Sequence, residues 1–343
     1  MTAPETPKRP PRRSSGGITL DDVSKLAGVS AITVSRALNT PDVVSPKTRE
    51  KVRLAVERTG YVPNLLAGGL ASNRSRLVAA LVPTIAGPVF LETVQALTEA
   101  LADAGYQLML GQSGYHNSRE DALIDAIVGR RPDGIVLTGI MRSPEGRRRL
   151  LASGIPVVET WDLTPTPVDM LVGFSHEKVG AAIANFLFGK GYRRPAVVTG
   201  DDQRANLRRA GFEQAWGALG GKAARVCSVA APTTLGSGRS AFAQLLEADP
   251  KIDVVVCSSD ALAHGVITEA QARGLQVPKD IAAMGFGDLA FARHAHPAIS
   301  TVRIDGDAIG RQAARFIVDR AEGRPVAQKI IDLGFSLIER ASA

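Results

Sequence analysis

The chain has 343 residues, 45% of them hydrophobic, a net charge of +7 and a sequence pI of about 9.6. That length accommodates two or three domains, and the lack of any run of 18 apolar residues excludes a membrane-spanning helix. Residues 1–75 carry twelve Lys/Arg against six Asp/Glu, whereas the remainder carries 29 against 28. The part suited to a polyanion partner is therefore the N-terminal segment.

Residues 1–17 are rich in Pro, Arg and Ser and lack the apolar core of a secretory signal, so they read as a disordered basic tail. Thr19 to Asn39 then spell two short helices around a tight turn. Thr19 and Asp22 have capping-box spacing. Val23, Leu26 and Ala27 form an apolar stripe, Gly28 supplies a left-handed helix stop, and Val29 plugs the corner. Ser30 caps a second helix whose inner face is Val34, Ala37 and Leu38, leaving Ala31, Ile32, Ser35 and Arg36 outward. Such a helix-turn-helix sets the start of its second helix against base edges in the DNA major groove. A third helix starts at Ser45-Pro46, with Val52 and Val56 inward and Lys47, Arg49, Lys51 and Arg53 outward.

Residues 64–75 form a joint between domains. Asn64 can cap a short helix there, and Gly68 and Gly69 each weaken it by about 1 kcal/mol relative to Ala. From Arg76 onward apolar strand-like runs (78–82, 107–110, 134–138, 157–160, 196–199, 254–257 and 282–286) alternate with helical stretches such as 89–104, 119–128, 178–190 and 262–273. Continuous rather than alternating apolar strands indicate parallel sheets covered on both faces, with binding crevices at the carboxyl ends of the strands. About 260 residues of this pattern exceed one sheet and divide into two subdomains. Cys227 and Cys257 fall in apolar strands and read as buried free thiols, which fits a cytoplasmic protein. No phosphate loop, nucleophile elbow or His/Cys cluster at metal spacing occurs, so no enzyme, metal or cofactor is expected. His294 and His296, near the end of a strand segment, read as solvated residues rather than ligands.

These motifs carry a family resemblance. Asp22-Val23, Ala27-Gly28-Val29-Ser30, Thr33-Val34-Ser35-Arg36, Leu38-Asn39, Val44-Ser45, Thr48-Arg49 and Tyr61-Val62-Pro63-Asn64 resemble the LacI/GalR family of bacterial transcription regulators. Gly134-Ile135-Val136, Ile155-Pro156-Val157-Val158, Ser259-Asp260 and Gly285-Phe286 extend the likeness through the core. The resemblance implies an all-α helix-turn-helix headpiece (18–63), a hinge (64–75), and an α/β core of two Rossmann-like subdomains of the periplasmic-binding-protein type. Those subdomains would be about 76–174 plus 304–334, and 175–303 plus 335–343.

By the same resemblance, the chain is a homodimeric repressor on a pseudo-palindromic double-stranded operator, controlled by a small carbohydrate effector. Arg36 would be the main polar base reader and Ala31 and Ile32 the determinants of operator choice. Ser30, Thr33, Ser35, Asn39, Ser45 and Thr48 would hold phosphates, and Thr19 would belong to the same DNA-binding face. Asn64 and Ala67 belong to a hinge helix whose Leu70 wedges into the minor groove. The effector crevice would be lined by Thr84, Ile85, Phe90, Tyr115, Asp162, Ser175, Arg208, Ser259 and the Gly287-Asp288 pair, with His176 beside it. Many relatives have Asn in place of Ser259 and Asp in place of Gly287. Those losses, and likenesses at 157–162, 172–174 and 332–335 to the gluconate-utilisation branch, imply a sugar acid such as gluconate or a ketogluconate. A neutral sugar, a protein co-repressor, or a sugar-binding role without DNA are the alternatives.

Overall fold

The structure, a computed structural model, describes residues 17–62, 74–115 and 117–343. The basic tail short of Gly17, and the expected hinge residues Asn64, Ala67 and Leu70, lie outside the described residues. The chain divides into two compact units, Met1–Ser75 and Arg76–Ala343.

The first unit is a three-helix headpiece. Thr19 and Asp22 cap α1 (Leu20–Ala27) reciprocally: the Thr19 Oγ1 accepts from the Asp22 N–H, and the Asp22 carboxylate accepts from the Thr19 N–H at 2.9 Å. Gly28 ends α1 at φ 67°, a left-handed conformation that suits a residue without Cβ. Ser30 caps α2 (Ala31–Asn39), and Ser45 caps α3 (Pro46–Thr59). Val23, Ala27, Val34, Val52 and Ala55 form the core, with Val29, Ala37, Leu38, Val56 and Tyr61 packed around it. Leu26 departs from the expected stripe and is 44% exposed. Val23 and Ala27 already fill the narrow arc that so short a helix buries, and Ala55 of α3 completes it.

The second unit holds two parallel sheets. Six strands lie in the order β11-β5-β4-β3-β1-β2: β1 (Leu77–Val82), β2 (Gln107–Gln112), β3 (Gly134–Thr138), β4 (Val157–Thr160), β5 (Met170–Gly173) and β11 (Ile330–Asp332). Four more lie in the order β7-β6-β8-β9: β6 (Pro195–Gly200), β7 (Arg225–Val229), β8 (Val254–Cys257) and β9 (Ala282–Met284). The six-stranded lobe thus recruits a late strand, and the chain crosses between lobes more than once. An antiparallel pair, β10 (Thr301–Arg303) with β12 (Ser336–Ile338), joins two of the crossing segments. Val158, Trp161 and Phe174 of one lobe and Val197, Phe212 and Phe286 of the other share a single apolar cluster.

Several elements differ from expectation. The strands at 170–173, 301–303, 330–332 and 336–338 were not among the expected apolar runs. Cys257 is buried as expected, but Cys227 is only partly buried, because β7 is an edge strand. His294 and His296 are exposed in the turn-rich loop 289–297 rather than near a strand end. Among the described residues no helix is long and apolar enough to cross a membrane.

Candidate functional site

On the headpiece, the outward face of α2 is sorted by its own hydrogen bonds. The Ser30 Oγ and Thr33 Oγ1 share a hydrogen bond of 2.8 Å, Ser45 and Thr48 share one of 2.9 Å, and the Asn39 Nδ2 donates to the Ser35 Oγ at 3.3 Å. Ile32 is 66% exposed, Ala31 and Ser35 are half-buried, and Arg36 is exposed with no side-chain partner among the described residues. On α3 the expected cationic face is partly neutralised internally, since Arg53 donates to Glu50 at 2.6 and 2.9 Å and also bonds Glu57. Thr19 is committed to its capping box.

In the core, a cavity of about 750 Å³, its open mouth included, lies between the two lobes at the carboxyl ends of their strands. Two helices of the second lobe set its chemistry. Along α4 (His176–Gly189) and α5 (Gln203–Ala218) the backbones meet directly: a Cβ on Gly180 would lie 2.0 Å from the Arg208 carbonyl, and one on Gly211 2.2 Å from that of Glu177. Glycine at both crossings lets α5 approach closely enough for Arg208 to reach the cavity.

Arg208 is 9% exposed, and its guanidinium meets no carboxylate at ion-pairing distance among the described residues. Its Nη1 faces the His176 Nδ1 at 3.0 Å, its Nη2 donates to the Ser258 carbonyl at 3.0 Å, and its plane lies 3.9 Å from the Phe286 ring centre. Burial pushes it down to about 10. Arg204, one helical turn earlier, donates to the Thr138 carbonyl at 3.0 Å and lies over Phe90. Trp161, at φ 62°, is pinned by its Nε1 donating to Thr93 at 3.0 Å and stands edge-on to Phe90 and Phe174. Aromatic walls suit the C–H faces of a carbohydrate, Thr84 and Ser259 offer hydroxyls, and the two arginines offer a forked grip on an anion.

The structure sorts the expected effector residues. Thr84, Phe90, Tyr115, Arg208 and Ser259 line the cavity, and His176 joins them. Asp162 instead lines an adjoining, more polar chamber with Glu120 and Arg142, pairing with Arg142 at 3.5 Å; Tyr115, Asp202 and Arg204 border both chambers. Burial raises the carboxyl groups of Asp162 and Glu120 above the ordinary range. Three expected residues lie outside the cavity lining. Ile85 is 59% exposed and outside the cavity lining. Ser175 is occupied as the N-cap of α4, accepting from the Lys178 N–H. Asp288 is held away by Arg340 at 2.6 Å and Arg303 at 3.8 Å. Trp161, Asp202, Arg204, Ser258 and Phe286 were not anticipated. The helical spacing of Arg204 and Arg208, and the position of Trp161 directly after β4, were the available signals.

Comparison with known proteins agrees with this anatomy. The family model "Bacterial regulatory proteins, lacI family" matches residues 19–64, and "Periplasmic binding protein-like domain" matches 184–343. The chain is 38% identical over 332 residues to the HTH-type transcriptional regulator GntR of Pseudomonas aeruginosa, covering 96% of this chain and 97% of that one. A LacI-family transcriptional regulator from Silicibacter pomeroyi superposes with a TM-score of 0.90 at 32% identity, over 95% and 99% of the two chains. The lac repressor dimer bound to operator and the anti-inducer ONPF shares the fold at a TM-score of 0.82 and 23% identity, over 95% and 99%.

Proposed function

Because the chain belongs to the LacI family of bacterial transcription regulators, we propose that a sugar acid such as gluconate or a ketogluconate, held between its two core lobes, lowers its affinity for operator DNA. The chain is a DNA-binding transcriptional repressor and not an enzyme. In this reading residues 18–63 bind DNA, 64–75 connect, and 76–343 bind effector and dimerise, in the cytoplasm. A homodimer would present two headpieces to the halves of a pseudo-palindrome.

The observation that carries the sugar acid is the state of Arg208. A buried cation held by an imidazole nitrogen, a carbonyl and the Phe286 ring, with no carboxylate paired to it among the described residues, is costly, and an incoming carboxylate supplies a direct counterion. A neutral sugar would bring no counterion to it. Ligand coupling follows if the sugar acid binds one arrangement of the lobes better than the other. Calorimetry with a panel of aldonates, ketoaldonates and the matching neutral sugars tests the reading, together with operator binding at each ligand concentration. Tighter binding of the neutral sugars than of their acids would overturn it.

A further inference from the structure

Resting on the sugar-acid reading of the cavity, we infer that Glu120 makes the site selective for acids with a single charged end. The hydroxymethyl end of an aldonate enters the polar chamber, and the second carboxylate of an aldarate is refused there.

The two chambers differ in charge. The one that holds Arg208 is walled by Phe90, Trp161 and Phe286. The adjoining one, about 600 Å³ with its open mouth included, is lined by the carboxyl groups of Glu120, Asp162 and Asp202 and by the guanidiniums of Arg142 and Arg204. Both cations already have partners. Arg204 donates to the Thr138 carbonyl at 3.0 Å and lies over Phe90, and Arg142, exposed to solvent, faces Asp162 at 3.5 Å.

The three acids are unequally engaged. Asp202 caps its helix by accepting from the Ala205 N–H at 3.1 Å, and Asp162 accepts from the Leu163 N–H at 2.8 Å. Glu120 makes no hydrogen bond or ion pair among the described residues. It is half-buried, and burial, then the neighbouring Asp121 charge, raises its carboxyl above the ordinary range. A group so placed gains from an O–H donor and is penalised by a second anion.

Reach sets the orientation. Arg204 borders both chambers and stands one helical turn before Arg208, about 5–6 Å from it between Cβ atoms. An extended six-carbon chain is longer than that span, so an acid gripped at Arg208 can carry its sixth carbon into the polar chamber. The reverse orientation would set the carboxylate among three acids and leave Arg208 without a counterion.

The experiment titrates the full-length protein calorimetrically with gluconate and with glucarate, which differ only at the sixth carbon. The wild type should bind gluconate at least about tenfold more tightly, a modest share of the penalty for bringing like charges together. Glu120→Gln keeps an acceptor and removes the charge. Its gluconate affinity should stay within about threefold of wild type, and its preference over glucarate should shrink to about threefold or less. Glu120→Asp, which keeps the charge, should keep the preference. Equal binding of the two acids by the wild type, or an undiminished preference in Glu120→Gln, overturns the inference and leaves the sugar-acid reading standing. Tighter binding of glucose than of gluconate removes that reading, and this one with it.

Discussion

The imidazole of His176 accepts a hydrogen bond from Arg208, and this fixes the protonation of both. Its Nε2 lies 2.9 Å from the Trp161 carbonyl, which can only accept, so that nitrogen carries the proton. Nδ1 is left as the acceptor for the Arg208 Nη1 at 3.0 Å. A neutral histidine thus aims a cation across the cavity without neutralising it.

Arg208→Ala should weaken sugar-acid binding by about 2–5 kcal/mol, the range for truncating a buried charged partner, while ligand-free operator binding is unchanged. Arg208→Lys keeps the charge but cannot span the His176 Nδ1 and the Ser258 carbonyl at once, and should fall between. Calorimetry on the two variants, beside operator titrations, separates ligand loss from general damage.

Stability should respond to pH through His176. Burial and the Arg208 charge hold its imidazole well below the ordinary 6.5. Below about pH 6.5 the unfolded chain therefore takes up a proton that the fold refuses, so this contribution is full above that pH and declines as pH falls. The ceiling for one proton is about 1.4 kcal/mol per pH unit. Asp260, pushed up to about 6 by burial, has the opposite sign: its contribution is present below the unfolded value and lost as pH rises through about 6. The informative measurement is the difference in urea stability between wild type and His176→Gln from pH 5 to 7. The variant should show the shallower fall on acidification, and parallel curves would contradict the assignment.

Two glycines in one helix should behave oppositely. A Cβ on Gly180 meets the Arg208 carbonyl at 2.0 Å, whereas one on Gly189 has nothing within 4 Å. Gly180→Ala should cost at least about 1–3 kcal/mol as an overpacking change and should also weaken ligand binding, since it pushes on the residue that carries Arg208. Gly189→Ala should be neutral or stabilising by up to about 1 kcal/mol. Thermal denaturation of both, with and without ligand, checks the pair.

The chain has two tryptophans, and only Trp161 lines the cavity; Trp216 is buried in the second lobe against Phe212. Ligand binding should therefore change the emission of Trp216→Phe much as it does that of wild type, and leave Trp161→Phe nearly silent. A signal retained in Trp161→Phe would place the ligand elsewhere.

The headpiece was legible almost residue by residue, because caps, glycine stops and core spacing are local. Thr19 with Asp22, Gly28, Ser30 and Ser45 each behave as their residue types require. The core was legible where strands are continuously apolar, as at 134–138 and 254–257. It was not legible at β10, β11 and β12, whose pairing is decided by segments distant in sequence. The cavity was read best through residues anchored on long elements, such as Arg208. Asp288 deceived because its fate depends on Arg340, 52 positions away. Ser175 was claimed by a helix that begins one residue later.

The pairing of Arg53 with Glu50 and Glu57 bears on how DNA affinity should vary with ionic strength. Each phosphate met by a free cation displaces condensed counterions, and the count of such contacts sets the slope of log affinity against log salt. An arginine already engaged with two carboxylates of its own helix displaces none. The headpiece should therefore lose affinity less steeply with added salt than its tally of basic residues suggests, and Glu50→Gln with Glu57→Gln should steepen that dependence by freeing one more cation.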